Sequence, residues 1–293
     1  MKNKHFTYLL ILSMFLWGGG WSALKILTQD LEMEVIVFWR FFIMSISFLP
    51  ILFFVKEPLT LNRKKIKFVA SSSILNIAFM VSSFFGIKYG LAGSGGVIIT
   101  TLSPVMTFLL VALLFKSKIN LTQYFGLFIG IIGGAVMLEL NDVNLFFNGS
   151  NIYFLLSGII WAGVTILSQH SHQHINPIHY SFFISVVATV TTFIYAFGFG
   201  FNLMSVFSQN REFWIAMIYL AVLGQSVATT IFFIASGKLG SQITSSFMFL
   251  VPIFALLIAS TLLHEPIELH ILLGGILSLI AIYFINKKEI DRW

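Results

Sequence analysis

Cysteine is absent from the sequence. That removes disulfides, thiolate nucleophiles and thiol-based metal sites. Charge is nearly as scarce: Asp, Glu, Lys and Arg make up 10% of the 293 residues, against roughly 25% in a soluble domain. No acidic or basic run is long enough to form a nucleic-acid arm, so the formal charge of +6 needs another origin. No phosphate-cradling loop ending in Gly-Lys-Ser/Thr occurs, which removes ATP as an energy source within the chain. Asp and Glu are also missing from the depth of every long apolar run. Pumps and proton-coupled carriers usually keep an acid there. Their absence favours exchange or facilitated flux, with an acid at a helix end, such as Glu139, as the remaining route for proton coupling. No small-x-small cleavage site follows the basic start MKNKHF, so the first apolar run is expected to remain as an uncleaved helix.

What the chain does have is apolar surface. Hydrophobic residues account for 58% and aromatics for 16%, with 33 Phe. A spanning helix needs about 20 mainly apolar residues, and ten such runs can be read: 6–26, 35–55, 68–88, 92–115, 122–140, 152–169, 179–200, 213–234, 242–263 and 269–286. They are continuous, whereas barrel strands would alternate in segments of about ten residues. The expected fold is therefore an all-α integral membrane protein with ten transmembrane helices and short connections. Lys and Arg concentrate on cytoplasmic loops. With the N-terminus inside, Lys2, Lys4, Lys56, Arg63, Lys64, Lys65, Lys67, Lys116, Lys118, Lys238, Lys287, Lys288 and Arg292 fall on that side. Only Lys25, Lys88 and Arg211 fall outside, and Arg40 lies within a span. Both termini are thus expected in the cytoplasm, and the basic balance is an orientation signal.

The chain is also doubled. SPVMTFLLVALLFKSKINLTQYFG (103–126) lies over VPIFALLIASTLLHEPIELHILLG (251–274) at one constant offset. That offset carries Pro104 onto Pro252, Leu109 onto Leu257, Leu121 onto Leu269 and Gly126 onto Gly274. WGGGWSALK faces WAGVTILSQ, matching Trp17 with Trp161, and Asn76 and Gln225 correspond to within one residue. The expected units are residues 1–141 and 142–293, each of five helices. Five is odd, so the second unit enters the membrane from the opposite side. Such inverted repeats serve alternating access, with the substrate held near the midplane between the halves.

In this order, the elements resemble the EamA-like family of the drug/metabolite transporter superfamily. The resemblance is carried by the tryptophan-glycine element in the first helix of each half and by Arg40 in FWRFF. The prolines of SPVMT and VPIF and the acidic turn HEP at Glu265 before a glycine-bearing last helix complete it. It covers nearly the whole chain. One departure is Ser117, in register with Glu265. The resemblance implies export or exchange of small metabolites, often amino acids or related compounds, across a bacterial-type inner membrane.

Several residues are candidates for the site. At about 1.5 Å per residue, Trp17 lies near the bilayer centre, and Trp161 lies at the same depth in the sixth helix. Tryptophan normally collects at membrane interfaces, so two at the midplane suggest aromatic cavity walls; close helix packing is the alternative. Trp21 and Gly19 belong to the same element, where glycines permit close approach or leave room for a ligand. Arg40 can attract a substrate carboxylate or close an outer gate with Asp30 or Glu139; it can also snorkel to head groups. Lys25 and Lys88 read as interfacial anchors. Asn76 and Gln225, near the middle of helices 3 and 8, can line the site or bridge helices, and Ser82, Ser83, Thr100 and Thr101 offer hydroxyls. Pro104 and Pro252 are expected to kink their helices and free backbone carbonyls. The tract SQHSHQHINPIH, with His170, His172, His174 and His179, reads as a solvated loop, because its spacing is not that of a helical metal pair.

The leading expectation is a secondary transporter that exports or exchanges a small polar metabolite, an amino acid or similar zwitterion, by alternating access. Its substrate-binding residues would be Trp17, Gly19, Trp21, Arg40, Asn76, Trp161 and Gln225. No metal, cofactor or catalytic residue is called for. The partners are the small-molecule substrate and the bilayer, with no nucleic acid, and a pathway closed within one chain fits a monomer or a homodimer. Two rivals stand beside it. Aromatic walls suit a multidrug or cation efflux carrier, against which Arg40 counts. A membrane enzyme acting on lipid would have to use Glu265 with His264 and His270. A non-transporting partner or sensor is argued against by the doubled organisation.

Overall fold

In a bilayer every backbone N–H and C=O must be satisfied within the chain, so long apolar runs form helices. The computed structural model describes residues 2–29, 31–89, 92–139, 149, 151–262, 264, 267 and 269–290. Its apolar helices are α1 (Lys2–Leu27), α2 (Met33–Leu52), α3 (Arg63–Tyr89), α4 (Ala92–Phe115), α5 (Leu121–Met137), α6 (Asn151–Ser171), α7 (Pro177–Gly198), α8 (Arg211–Leu239), α9 (Ser241–Leu262) and α10 (Leu269–Ile290). Among the described residues, nine are long and apolar enough to cross a membrane, and α5 is a shorter apolar helix of 17 residues. Large side chains such as Leu113, Phe128 and Ile276 are exposed on the outside of the bundle, as a lipid-facing surface requires. The chain is an all-α integral membrane protein.

Local signals set the helix ends. α3 starts at Arg63 rather than 68, because the Asn62 side chain accepts the Lys65 N–H at 2.9 Å and caps the basic first turn. α5 stops at Met137 rather than 140, where Glu139 takes a left-handed backbone (φ 49°). α8 runs on to Leu239 and ends at Gly240 (φ 92°), whose N–H bonds the Ser236 carbonyl. Glu265 of the acidic turn, Asp30 and Arg292 lie outside the described residues.

The neighbours form a regular scheme. α5 packs on α10 and α2 on α7, α6 packs on α3 and α4, and α1 packs on α8 and α9. Exchanging α1 to α5 with α6 to α10 in order maps this scheme onto itself. The α5–α10 crossing is close: a Cβ on Gly133 would stand 2.9 Å from the Gly274 carbonyl oxygen, as expected where small residues let backbones approach. Lys116 after α4 and His264 after α9, which the sequence offset superposes, share a left-handed backbone (φ 51° and 54°). Non-glycine residues rarely adopt it.

The histidine tract is more packed than a solvated loop. His170 lies against Phe115 with centroids 4.7 Å apart, and His174 lies against Phe68 at 5.3 Å. His172 wedges against Gly237 and has a buried Nδ1 with no partner. His179 is buried in the first turn of α7. The α6–α7 turn is short and folds back onto the bundle, so its imidazoles find apolar neighbours. Only His174 of the four is exposed.

Candidate functional site

The three glycines of α1 have different neighbours. A Cβ on Gly18 would sit 2.7 Å from Phe254 Cβ and 2.8 Å from the Ala255 nitrogen, so this glycine sets the α1–α9 crossing. Gly19 faces the hydroxyl of Tyr219, which donates to the Leu16 carbonyl at 3.1 Å. Only Gly20 opens onto a cavity, of about 140 Å³, on the order of ten water-sized volumes.

Seven helices contribute to this cavity: α1 to α4, α6, α8 and α9. Trp17, Gly20, Trp21 and Leu24 come from α1 and Arg40 from α2. Phe79, Met80, Ser83, Phe84 and Ile87 come from α3, Ile99 and Thr100 from α4, and Trp161 from α6. Leu220, Gly224, Gln225 and Thr229 come from α8, and Met248 and Val251 from α9. The two tryptophans expected at one depth lie edge to face, 5.5 Å apart. Phe232 leans on Trp17 at 5.0 Å and Phe79 on Trp161 at 4.8 Å, which makes an aromatic wall.

The polar groups are few and specific. The Arg40 guanidinium donates through Nη2 to Gln225 Oε1. Its Nε is buried without a partner, and among the described residues no carboxylate pairs with it. A charge at this depth costs at least about 2.5 kcal/mol on insertion scales, and such residues face a cavity or a partner. Trp17 Nε1 donates to the Gly224 carbonyl at 3.0 Å, whereas Trp161 Nε1 is buried with no acceptor. The site thus carries one positive charge and a few neutral polar groups, Ser83, Thr100, Gln225 and Thr229, in a mainly apolar lining.

Gln225 is held by an unusual backbone. Residues Tyr219–Thr229 of α8 form a π-helix, a rare widening frequently found at functional sites. Its carbonyls gain side-chain donors: Ser226 Oγ to Ala221 at 3.1 Å, Thr229 Oγ1 and Trp17 Nε1 to Gly224, and Ser13 Oγ to Ala228 at 2.7 Å. Ser226 also meets Ser47 of α2 at 2.6 Å. The widened turn therefore hangs on α1 and α2 through hydroxyl and indole hydrogen bonds.

Of the residues singled out in the sequence, Trp17, Trp21, Arg40, Trp161 and Gln225 line the cavity, and Gly19 and Asn76 do not. Asn76 is 2% exposed and donates to its own helix at the Ser72 carbonyl. Glu139, offered as a gate partner for Arg40, instead pairs with His270 at 3.1 Å; Asp30 is not described. Lys88 is exposed at the end of α3 beside Tyr89. Just before Pro252 the helix tightens into a 3-10 turn over Phe247–Leu250, which carries the cavity residue Met248 and adjoins Val251. Pro104 lies inside α4, which is α-helical over Ala92–Phe115. Sequence reading missed Phe79, Phe84, Gly224, Thr229 and Met248, which are common residues in apolar runs with no local signal of their role.

Comparison with known proteins gives a consistent result. The profile of the "EamA-like transporter family" matches twice, over residues 6–138 and 149–287. "Uncharacterized transporter YoaV" of Bacillus subtilis (strain 168) is 22% identical over 94% of both chains. "Probable amino-acid metabolite efflux pump" of Salmonella typhimurium is 22% identical over 94% of this chain and 93% of its own. A solved crystal structure superposes with a TM-score of 0.80 over 98% of each chain at 13% identity, a likeness of fold alone.

Proposed function

We propose that this chain, which belongs to the EamA-like transporter family, moves a small polar metabolite by alternating access through the Trp17–Trp161 cavity. It is a multi-pass transporter of the inner membrane. The observation that carries the proposal is the position of Arg40. A membrane-depth cation, hydrogen-bonded to the amide of Gln225 and without an acid partner among the described residues, lines a cavity to which both halves contribute. Donors aimed at a carboxylate suit amino acids and related acids. The name of the Salmonella relative belongs to the same substrate class.

The two five-helix units, 1–141 and 142–293, are read as inverted halves with both termini inside. The double profile match, the exchange-symmetric packing and the paired backbone of Lys116 and His264 support that reading. The halves would rock about the cavity, with the π-helical stretch of α8 carrying Gln225 past Arg40. Arg40 counts against a cation-efflux carrier, since it would repel the cargo. A lipid enzyme built on His264 and His270 gains no support, because His270 is engaged with Glu139.

The test is reconstitution of the purified protein in liposomes loaded with a panel of labelled small metabolites, amino acids and acids included. Efflux is measured with and without external solute and a pH gradient. Saturable efflux of one class, stimulated by external solute and lost in Arg40→Gln, is the expected result. Flux equal to that of protein-free liposomes for every compound, in a preparation shown to be folded, overturns it.

A further inference from the structure

Resting on the transport reading, we infer that the central cavity selects a carboxylate monoanion over the corresponding zwitterion or cation, and that Arg40, Gln225 and Trp161 clamp its carboxylate. The donor inventory is lopsided. A guanidinium offers five N–H groups and no acceptor, and an indole offers one N–H. Arg40 uses Nη2 on Gln225 and leaves Nε buried and unpartnered; Trp161 Nε1, on a side chain 5% exposed, is likewise buried and unpartnered. Both residues line the same cavity. Unpaired buried donors are costly, and an anionic acceptor would satisfy them.

The complementary inventory for an ammonium is poor. Among the described residues no Asp or Glu lines the cavity, and its polar side chains besides Arg40 and the tryptophans are Gln225, Ser83, Thr100 and Thr229. Gln225 Oε1 already accepts from Arg40, and the Ser83, Thr100 and Thr229 hydroxyls, which donate to Ser157 and to backbone carbonyls, offer an ammonium only neutral lone pairs and no charge. The aromatic rings pack on one another: Trp17 on Trp161 and Phe232, and Trp161 on Phe79. That reduces the ring surface left for cation–π contact. An ammonium beside Arg40 would also meet like charge in a region of low dielectric. A monoanion meets none of these costs and neutralises Arg40.

That neutralisation bears on the transport cycle. A substrate-free carrier must reorient with an uncompensated guanidinium at membrane depth, whereas the loaded one reorients with a neutral pair. Exchange should therefore outrun net efflux.

The experiment uses matched compounds in which one charge at a time is removed. For glycine, leucine and phenylalanine, the N-acetyl derivative is the monoanion, the free amino acid the zwitterion and the amide the cation. Binding to the purified full chain is read from tryptophan fluorescence and flux from proteoliposomes. The N-acetyl compound should bind at least tenfold more tightly than the free amino acid in the best-fitting series. The amide should not compete, and external N-acetyl compound should accelerate its own efflux. Gln225→Glu gives Arg40 an internal carboxylate and keeps the side-chain shape, so this variant should fold and lose affinity for the anion more than tenfold. A free amino acid that binds as tightly as its N-acetyl form, an amide that competes, or undiminished anion affinity in Gln225→Glu overturns the inference. So does binding by none of the nine. The transport reading is judged separately by the wider metabolite panel and survives if any other class moves.

Discussion

Gly18 and Gly20 sit two positions apart in α1 and have opposite surroundings. A methyl on Gly18 meets backbone of α9, the Ala255 nitrogen and the Phe254 carbonyl carbon, which cannot yield. A methyl on Gly20 meets only the Leu220 Cδ1 at 3.4 Å, an ordinary contact. Gly18→Ala should therefore destabilise the fold by about 1–3 kcal/mol, the range for overpacking. Gly20→Ala should leave stability near wild type while narrowing the cavity and weakening substrate affinity. Thermal unfolding in detergent and substrate titration check the pair; equal loss of stability in both would contradict this division of roles. The sequence alone could not separate these glycines, because each is simply a poor helix former in an apolar run. The tryptophans were more legible, since large interfacial residues at mid-depth are anomalous by position. Arg40 was legible for the same reason, but its partner was not: Gln225 is far away in sequence, and only packing of α2 against α8 brings them together.

At the scale of elements, the apolar runs revealed the helices, and the caps moved the ends. What no hydropathy pattern could reveal is the π-helical stretch Tyr219–Thr229, whose carbonyls accept from Trp17 and Ser13 of α1 and whose Ser226 meets the Ser47 hydroxyl of α2. The α6–α7 turn was misread for a related reason, as histidines look polar until their neighbours are known. His172, outside the spanning segments, has its pKa held below the usual value. The first cause is burial, followed by the positive charge of Lys238, while Glu57 opposes both. The unfolded chain therefore takes up a proton that the folded chain refuses. Stability from this packing is fully present above about pH 6.5, the ordinary histidine value, and is lost as the pH falls through it. His172→Gln should flatten the fall in unfolding temperature between neutral and mildly acidic pH; an unchanged slope would assign the acid sensitivity elsewhere.

At the scale of the whole molecule, the doubling proposed above rests on the constant register of prolines and glycines in the sequence and on the double profile match. The proposed inversion predicts sidedness. Lys118, after α4, and Ile267, after α9, are both exposed. The chain lacks cysteine, so single-cysteine variants need no background removed. A membrane-impermeant thiol reagent should label Lys118→Cys from the cytoplasmic side only and Ile267→Cys from the outer side only. Labelling of both from one side would contradict the inverted arrangement and the orientation argued from the lysines.

The central claim is that one cavity between the halves opens to each side in turn, and Ser83 gives the most direct access to it. This side chain lines the cavity and is 7% exposed, so a cysteine there is nearly isosteric and reports only the interior. With Ser83→Cys in sealed vesicles of known orientation, the impermeant reagent is applied to one face at a time, with and without a transported substrate. The account predicts labelling from either face, slowed by substrate in both cases. Labelling confined to a single face under every condition, or indifferent to substrate, would contradict it.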